Sequence, residues 1–217
     1  MAYNFFRFGL LPMPIISKSD SSLSSLTFTP VQGKPEQLFV LLHGESAAPD
    51  QLLPLARVIR RAFPQALLVL PYGPTRTLSA LVARVRRIQV RNDLSGQRTA
   101  LAGFSQGATM ALEASMDQPD LAGRVLAFSG SYKRPLTVAP LASTLHFLHG
   151  ANDAQVSVEH VQSIYARLAE LEGDATLDVA SGIGHELHGS LINRAIYRLQ
   201  TCIPLRSWEA ALSKTLH

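Results

Sequence analysis

The stretch from Arg98 to Ala114 sets a serine between two glycines, Gly103-Phe-Ser-Gln-Gly107, with a short apolar run before it and a helix-forming run after it. A strand that passes into a helix through one residue puts that residue in a strained backbone conformation. It also leaves no space for side chains at the two flanking positions, which is what glycines at 103 and 107 supply. The strain would hold the Ser105 hydroxyl out at the carboxyl end of a sheet, where a substrate can reach it. At average glycine and serine frequencies G-x-S-x-G arises by accident in roughly one chain of this length in fifteen. The pentapeptide therefore needs a strand before it, a helix after it, and an acid and a histidine in a suitable order.

The rest of the chain has the alternation that such a turn requires. Leu26-Thr-Phe-Thr29 alternates like an edge strand, and Leu38 to Leu42, Ala66 to Leu70, Arg124 to Phe128 and Thr144 to Leu148 are continuous apolar runs suited to strands covered on both faces. Thr176 to Val179 reads as the last strand. Between the runs, apolar residues recur at helical spacing: Leu52, Leu55, Ile59 and Phe63; Leu78, Leu81, Val85 and Ile88; Val158, Val161, Ile164 and Leu168; Leu187, Leu191, Ala195 and Leu199. Strands alternating with helices predict one α/β domain over residues 1–217, with a mainly parallel central sheet and helices on both faces. Residues 1–24 read as a leader followed by a loop or hairpin turn.

Composition excludes several other classes. Of 217 residues, 47% are hydrophobic and 17% charged, the balance of a globular rather than a disordered or fibrous chain. No apolar run approaches the ~20 residues that cross a bilayer. The amino-terminal apolar stretch lacks a basic start and is broken by Pro12 and Pro14, so it makes a poor secretory signal and a cytoplasmic protein is expected. One cysteine, Cys202, excludes an internal disulfide framework and is read as a small buried side chain of the last helix. The net charge is +4 with a pI near 9.5, part of it in Arg84, Arg86, Arg87 and Arg91. Those arginines are read as the solvated face of an amphipathic helix rather than as a nucleic-acid surface. Oligomeric state is left open, a homodimer included.

A neutral serine hydroxyl is a weak nucleophile and needs a base, which in turn needs a group that fixes its tautomer. In α/β sheets of this kind the order along the chain is Ser, then Asp or Glu, then His, and ligands meet the loops that follow the strands. Asp178 falls inside a strand, and Asp117 and Glu159 fall on helices. Asp153, in the loop after the strand ending at Leu148, is preferred to Asp174. His185 follows the last strand in the glycine-rich loop Ser181-Gly-Ile-Gly-His185 and is preferred to His188, which reads as a surface or capping residue. His149 is assigned to the loop that places Asp153. The sequence His185-Glu-Leu-His188 is one residue short of a zinc-binding H-E-x-x-H, so no metal is expected. For the oxyanion, the backbone N–H of Gln106 at the start of its helix is one candidate donor. That of Glu45, in the loop His43-Gly44-Glu45, is the other. Gly44, Tyr72 and Phe104 are the candidate substrate contacts.

Taken together, Leu-Leu-His43-Gly44, the elbow with its Phe-Ser-Gln-Gly-Ala core, His149-Gly-x-x-Asp153 and Gly184-His185-Glu resemble the phospholipase/carboxylesterase branch of the α/β-hydrolases over about residues 36–200. That branch includes small bacterial carboxylesterases and acyl-protein thioesterases. The resemblance implies a cofactor-independent serine esterase acting on a small-molecule ester or thioester, with Ser105, Asp153 and His185 as triad and Glu45 and Gln106 as oxyanion donors. The chain departs from the family pattern in two places. Tyr72-Gly-Pro-Thr-Arg76 replaces a longer loop with a Gly-Arg-x-Trp-Phe signature, the single tryptophan being Trp208, so a shallower or differently built pocket is expected. Glu45-Ser46 stands where the family has an apolar residue and a second glycine, so the Glu45 side chain is expected to face outward. These departures also motivate a rival reading, a hydrolase fold that binds without catalysing.

Overall fold

Apolar side chains that alternate along β3 (Gln37–Leu42) show how the molecule is layered. Leu38, Val40 and Leu42 enter one core, while Phe39 and Leu41 enter another on the opposite face of the same sheet. A strand in which both faces are buried reads as an uninterrupted apolar run, which is why 38–42 carries no polar residue. The computed structural model describes residues 15–17, 24–72, 77–202 and 204.

Among the described residues, eight strands form one sheet in the order β1-β2-β4-β3-β5-β6-β7-β8. The remaining strands are β1 (Ile15–Ser17), β2 (Ser25–Phe28), β4 (Ala66–Pro71), β5 (Thr99–Phe104), β6 (Arg124–Phe128), β7 (Thr144–Gly150) and β8 (Ala175–Ala180). The pairs β1–β2 and β2–β4 are antiparallel, and every pair from β4 to β8 is parallel. Helices α1 (Leu53–Ala62) and α5 (Gly189–Thr201) cover one face through Leu55, Ile59, Leu191 and Ala195. On the other face lie α2 (Leu78–Asn92), α3 (Gln106–Asp117) and α4 (Val158–Glu170), through Leu81, Val85, Leu112, Val161 and Leu168. The α/β class and the helices on both faces agree with the periodicity.

Three expectations are corrected. Ile15–Ser17, read as part of a leader followed by a loop or hairpin turn, is a short strand paired antiparallel with Ser25–Thr27, which puts β2 inside the sheet and not at its edge. Three residues between a proline and a serine-rich stretch are too few for a period of two to show. The last helix begins at Gly189 rather than near Glu186, because His188 caps it with its ring Nδ1, which accepts the Ser190 N–H at 3.2 Å. Cys202 is not buried in that helix but follows it half-buried, and its carbonyl accepts a bond from Arg124 at 2.9 Å. The other leader residues, 1–14 and 18–23, lie outside the described residues, as do 73–76 and Trp208.

On α2, Arg87 and Arg91 are exposed and Arg86 pairs with Asp120, as a solvated face would have them. No helix among the described residues is long and apolar enough to cross a membrane.

Asp178 on β8 ties the sheet edge to α5, accepting from Arg194 Nε at 2.6 Å and from Arg198 at 2.8 and 2.9 Å. Burial alone would raise its pKa, but the two guanidinium groups outweigh burial and hold it below the ordinary 3.8. A carboxyl lowered by folding contributes stability above its ordinary pKa and loses it as pH falls through the folded value. Asp178→Asn is therefore expected to cost about 1–2 kcal/mol near neutral pH, after discounting for partial exposure. Thermal unfolding followed by circular dichroism from pH 7 to pH 3 should show the gap between the two proteins closing below about pH 4.

Candidate active site

The carboxyl ends of β3, β5, β7 and β8 supply the residues that the sequence marks out. At the centre, β5 ends at Phe104, Ser105 adopts φ 55° and ψ −119°, and α3 begins at Gln106. This is the positive-φ half of backbone space that L-residues avoid, and it costs on the order of 1–3 kcal/mol. The turn is held by Ser105 N–H donating to Phe128 O at 2.9 Å and by Thr109 N–H donating to Ser105 O at 3.1 Å. A Cβ at position 103 would lie 2.2 Å from the Gly107 carbonyl carbon, and one at position 107 would lie 2.1 Å from the Leu42 carbonyl oxygen. Both glycines are thus required by close backbone approach. The second brings the first turn of α3 against the end of β3. The first N–H groups of a helix have no intrahelical acceptor, so the Gln106 N–H is an open donor at the positive end of α3.

Beside it, the loop after β3 folds back in a turn at residues 44–47. Ala47 N–H donates to Gly44 O at 3.3 Å, and Ser46 takes φ 56°. A type II turn needs φ above zero at its third residue, which explains why a glycine is favoured at position 46 and why serine is tolerated there only under strain. Glu45 is exposed. Gly44 is buried, and a Cβ there would lie 3.5 Å from the Phe104 ring. Sequence reasoning missed Gln51, whose Oε1 accepts the Gly44 N–H at 2.8 Å. Its position seven residues along, at the start of a helical pattern, gives no local signal for that contact.

Asp153 sits in the loop after β7 and is 6% exposed. One carboxylate oxygen accepts the N–H groups of Gln155 and Val156, each at 2.9 Å. The other lies 2.8 Å from His185 Nδ1. Burial would raise the carboxyl pKa, but these backbone donors and the His185 ring hold it below its ordinary range, so the group is an anion. With Nδ1 donating to that anion, Nε2 carries the imidazole lone pair. The His185 ring packs 4.9 Å from the ring of Phe104, the residue immediately before Ser105. His149 Nε2 donates to Val156 O at 2.8 Å and lies 3.5 Å from Asp153, so it braces the acid loop as its place in the sequence implied.

The competing residues are engaged elsewhere. Asp174 accepts from Thr144 at the amino end of β7, His188 caps α5, and Asp178 binds two arginines. His146 is fully buried in β7 beside Thr176. Desolvation and the nearby Arg124 and Arg198 push its pKa down to about 3, leaving it a neutral core residue. Of the candidate substrate contacts, Phe104 is 7% exposed and packs beneath His185, whereas Tyr72 is 37% exposed at the end of β4.

A model of the phospholipase/carboxylesterase family matches residues 81–203, more than half of the chain. The chain belongs to that family. Esterase YpfH of Escherichia coli (strain K12) is 35% identical over 136 residues, which are 63% of this chain and 59% of YpfH, so the match spans under two thirds of that relative. The fold is shared with the crystal structure of esterase PE8, at a TM-score of 0.75 and 25% identity over 84% of this chain and 100% of that one. A carboxylesterase from Mesorhizobium loti superposes with a TM-score of 0.72 at 16% identity, covering 87% of this chain and 99% of that one.

The acid and histidine loops are laid together by bonds from Asn152 N–H to Ile183 O at 2.8 Å and from Ala151 N–H to Ala180 O at 2.9 Å. A Cβ at Gly150 would lie 2.4 Å from the carbonyl oxygens of Ile183 and Gly184. Gly150→Ala is therefore expected to part the two loops at a cost of about 3 kcal/mol, lowering the thermal midpoint by about 6–12 °C. The downfield imidazole N–H proton resonance of the His185–Asp153 bond should weaken with it. Gly189→Ala, where a Cβ meets nothing within 4 Å, should leave both unchanged.

Proposed function

We propose that the protein hydrolyses carboxylic esters, thioesters among them, through a covalent acyl-enzyme at Ser105, with His185 as general base and Asp153 as its orienting anion. The observation that carries this reading is the Asp153–His185 pair packed on Phe104, next to a serine in strained backbone at the head of α3. Ser105 Oγ attacks the carbonyl carbon while His185 Nε2 takes its proton. The negative charge that develops on the carbonyl oxygen is met by the N–H groups of Gln106 and Glu45. His185 then returns the proton to the departing alcohol or thiol, leaving the acyl group on Ser105. A water molecule, deprotonated by the same nitrogen, attacks the acyl-enzyme and releases the carboxylic acid. The chemistry uses only side chains and backbone, so no cofactor enters the scheme, and the partner is a small-molecule substrate.

A fold that binds without turnover drew support from the shortened loop after Leu70 and from Glu45, whose carboxylate could oppose the oxyanion. The exposure of Glu45, which leaves its charge to be screened by solvent, favours the catalytic reading.

Ser105→Ala is expected to lower kcat on p-nitrophenyl esters by about 10⁴–10⁶-fold while leaving the thermal midpoint intact or raised. A fluorophosphonate probe should label the native protein at Ser105 and fail to label the variant. Native protein that is silent to the probe, or a variant that turns over normally, would sink the assignment. Asp153→Asn leaves the ring without its anion and should lower kcat by about 10⁴-fold.

A further inference from the structure

We infer that Gln51 is a positioning residue for the oxyanion site: its side-chain amide fixes the His43–Gly44 peptide, from which the next peptide, carrying the Glu45 N–H, is set. The inference rests on the esterase reading and adds a residue to it. Gly44 is the soft point of the loop, because glycine has more backbone freedom than any other residue. Two peptide planes flank it. The first, between His43 and Gly44, is pinned through the Gly44 N–H, which donates to Gln51 Oε1 at 2.8 Å. The second, between Gly44 and Glu45, is pinned through the Gly44 carbonyl, which accepts from Ala47 N–H at 3.3 Å and lies 2.8 Å from His43 Nδ1. In a trans peptide the N–H points opposite to the C=O, so anchoring that carbonyl sets the direction of the Glu45 N–H.

Gln51 can serve as an anchor because its own backbone is held. It lies in a short 3-10 turn, Pro49–Leu52, whose Pro49 and Leu52 are buried, and its N–H donates to Ala48 O at 3.1 Å. Since the Gly44 N–H is spent on Gln51, Glu45 is left as the donor from this loop. An amide supplies the acceptor without a formal charge.

The test uses Gln51→Leu, which removes the acceptor at similar size, and Gln51→Glu, which keeps it. Gln51→Leu is expected to lower kcat on p-nitrophenyl esters by about 10–100-fold with KM within about twofold. The affinity for an alkylboronic acid, whose adduct with Ser105 is tetrahedral, should fall by a similar factor. Gln51→Glu should retain more of kcat than Gln51→Leu. Wild-type kcat and boronate affinity in Gln51→Leu, or equal losses in the two variants, would overturn the inference. Should Gln51→Leu fail to fold, hydrogen exchange of the wild-type Gly44 amide decides: protection supports the anchor and exchange at the rate of an open loop refutes it. Failure of the esterase reading is distinct, since the wild-type protein itself would then show no turnover that depends on Ser105.

Discussion

The first turn of α3 touches the end of β3 so closely that nothing larger than a hydrogen fits at Gly107, where a Cβ would sit 2.1 Å from the Leu42 carbonyl oxygen. That contact makes the Ser105 turn and the loop beginning at His43 neighbours. It also brings towards each other the two N–H groups proposed for the oxyanion, one on each side of it. The site is in this sense a property of backbone packing: side chains refine a geometry that two parallel strands and one helix have already fixed.

The other half of the site has a different origin. Asp153 and His185 come from loops that follow neighbouring parallel strands, β7 and β8, and backbone bonds between the loops carry the strand pairing onward past the sheet. Gly150 lets the two chains approach, His149 and the turn at Gln155 and Val156 hold the carboxylate, and the Asp178 clamp fastens β8 to α5 on the far side of the histidine loop. Each of the two loops is thereby tied to the end of a strand, so the Asp153–His185 pair depends on the register between β7 and β8.

Much of this was legible because it depends on local pattern. Continuous apolar runs mark buried parallel strands, helical spacing marks α1, α2, α4 and α5, and the rule that ligands gather at strand ends reduces the acids and histidines to a few. Asp153 and His185, chosen by that rule, lie within hydrogen-bond distance of each other. What escaped depends on the tertiary arrangement. Ile15–Ser17 is a strand only because β2 lies alongside, the start of α5 is set by a histidine cap, and Gln51 matters only because the chain folds back seven residues to meet Gly44. Pocket walls, formed where distant loops meet, have no local pattern either.

The backbone at Ser105 has a consequence for how such a chain evolves. A residue held at φ 55° and ψ −119° sits where glycine would rest without strain. Serine is thus not the most stable choice at its own position, and selection for heat resistance alone, blind to turnover, would replace it. Its hydroxyl at that turn is held at the expense of stability.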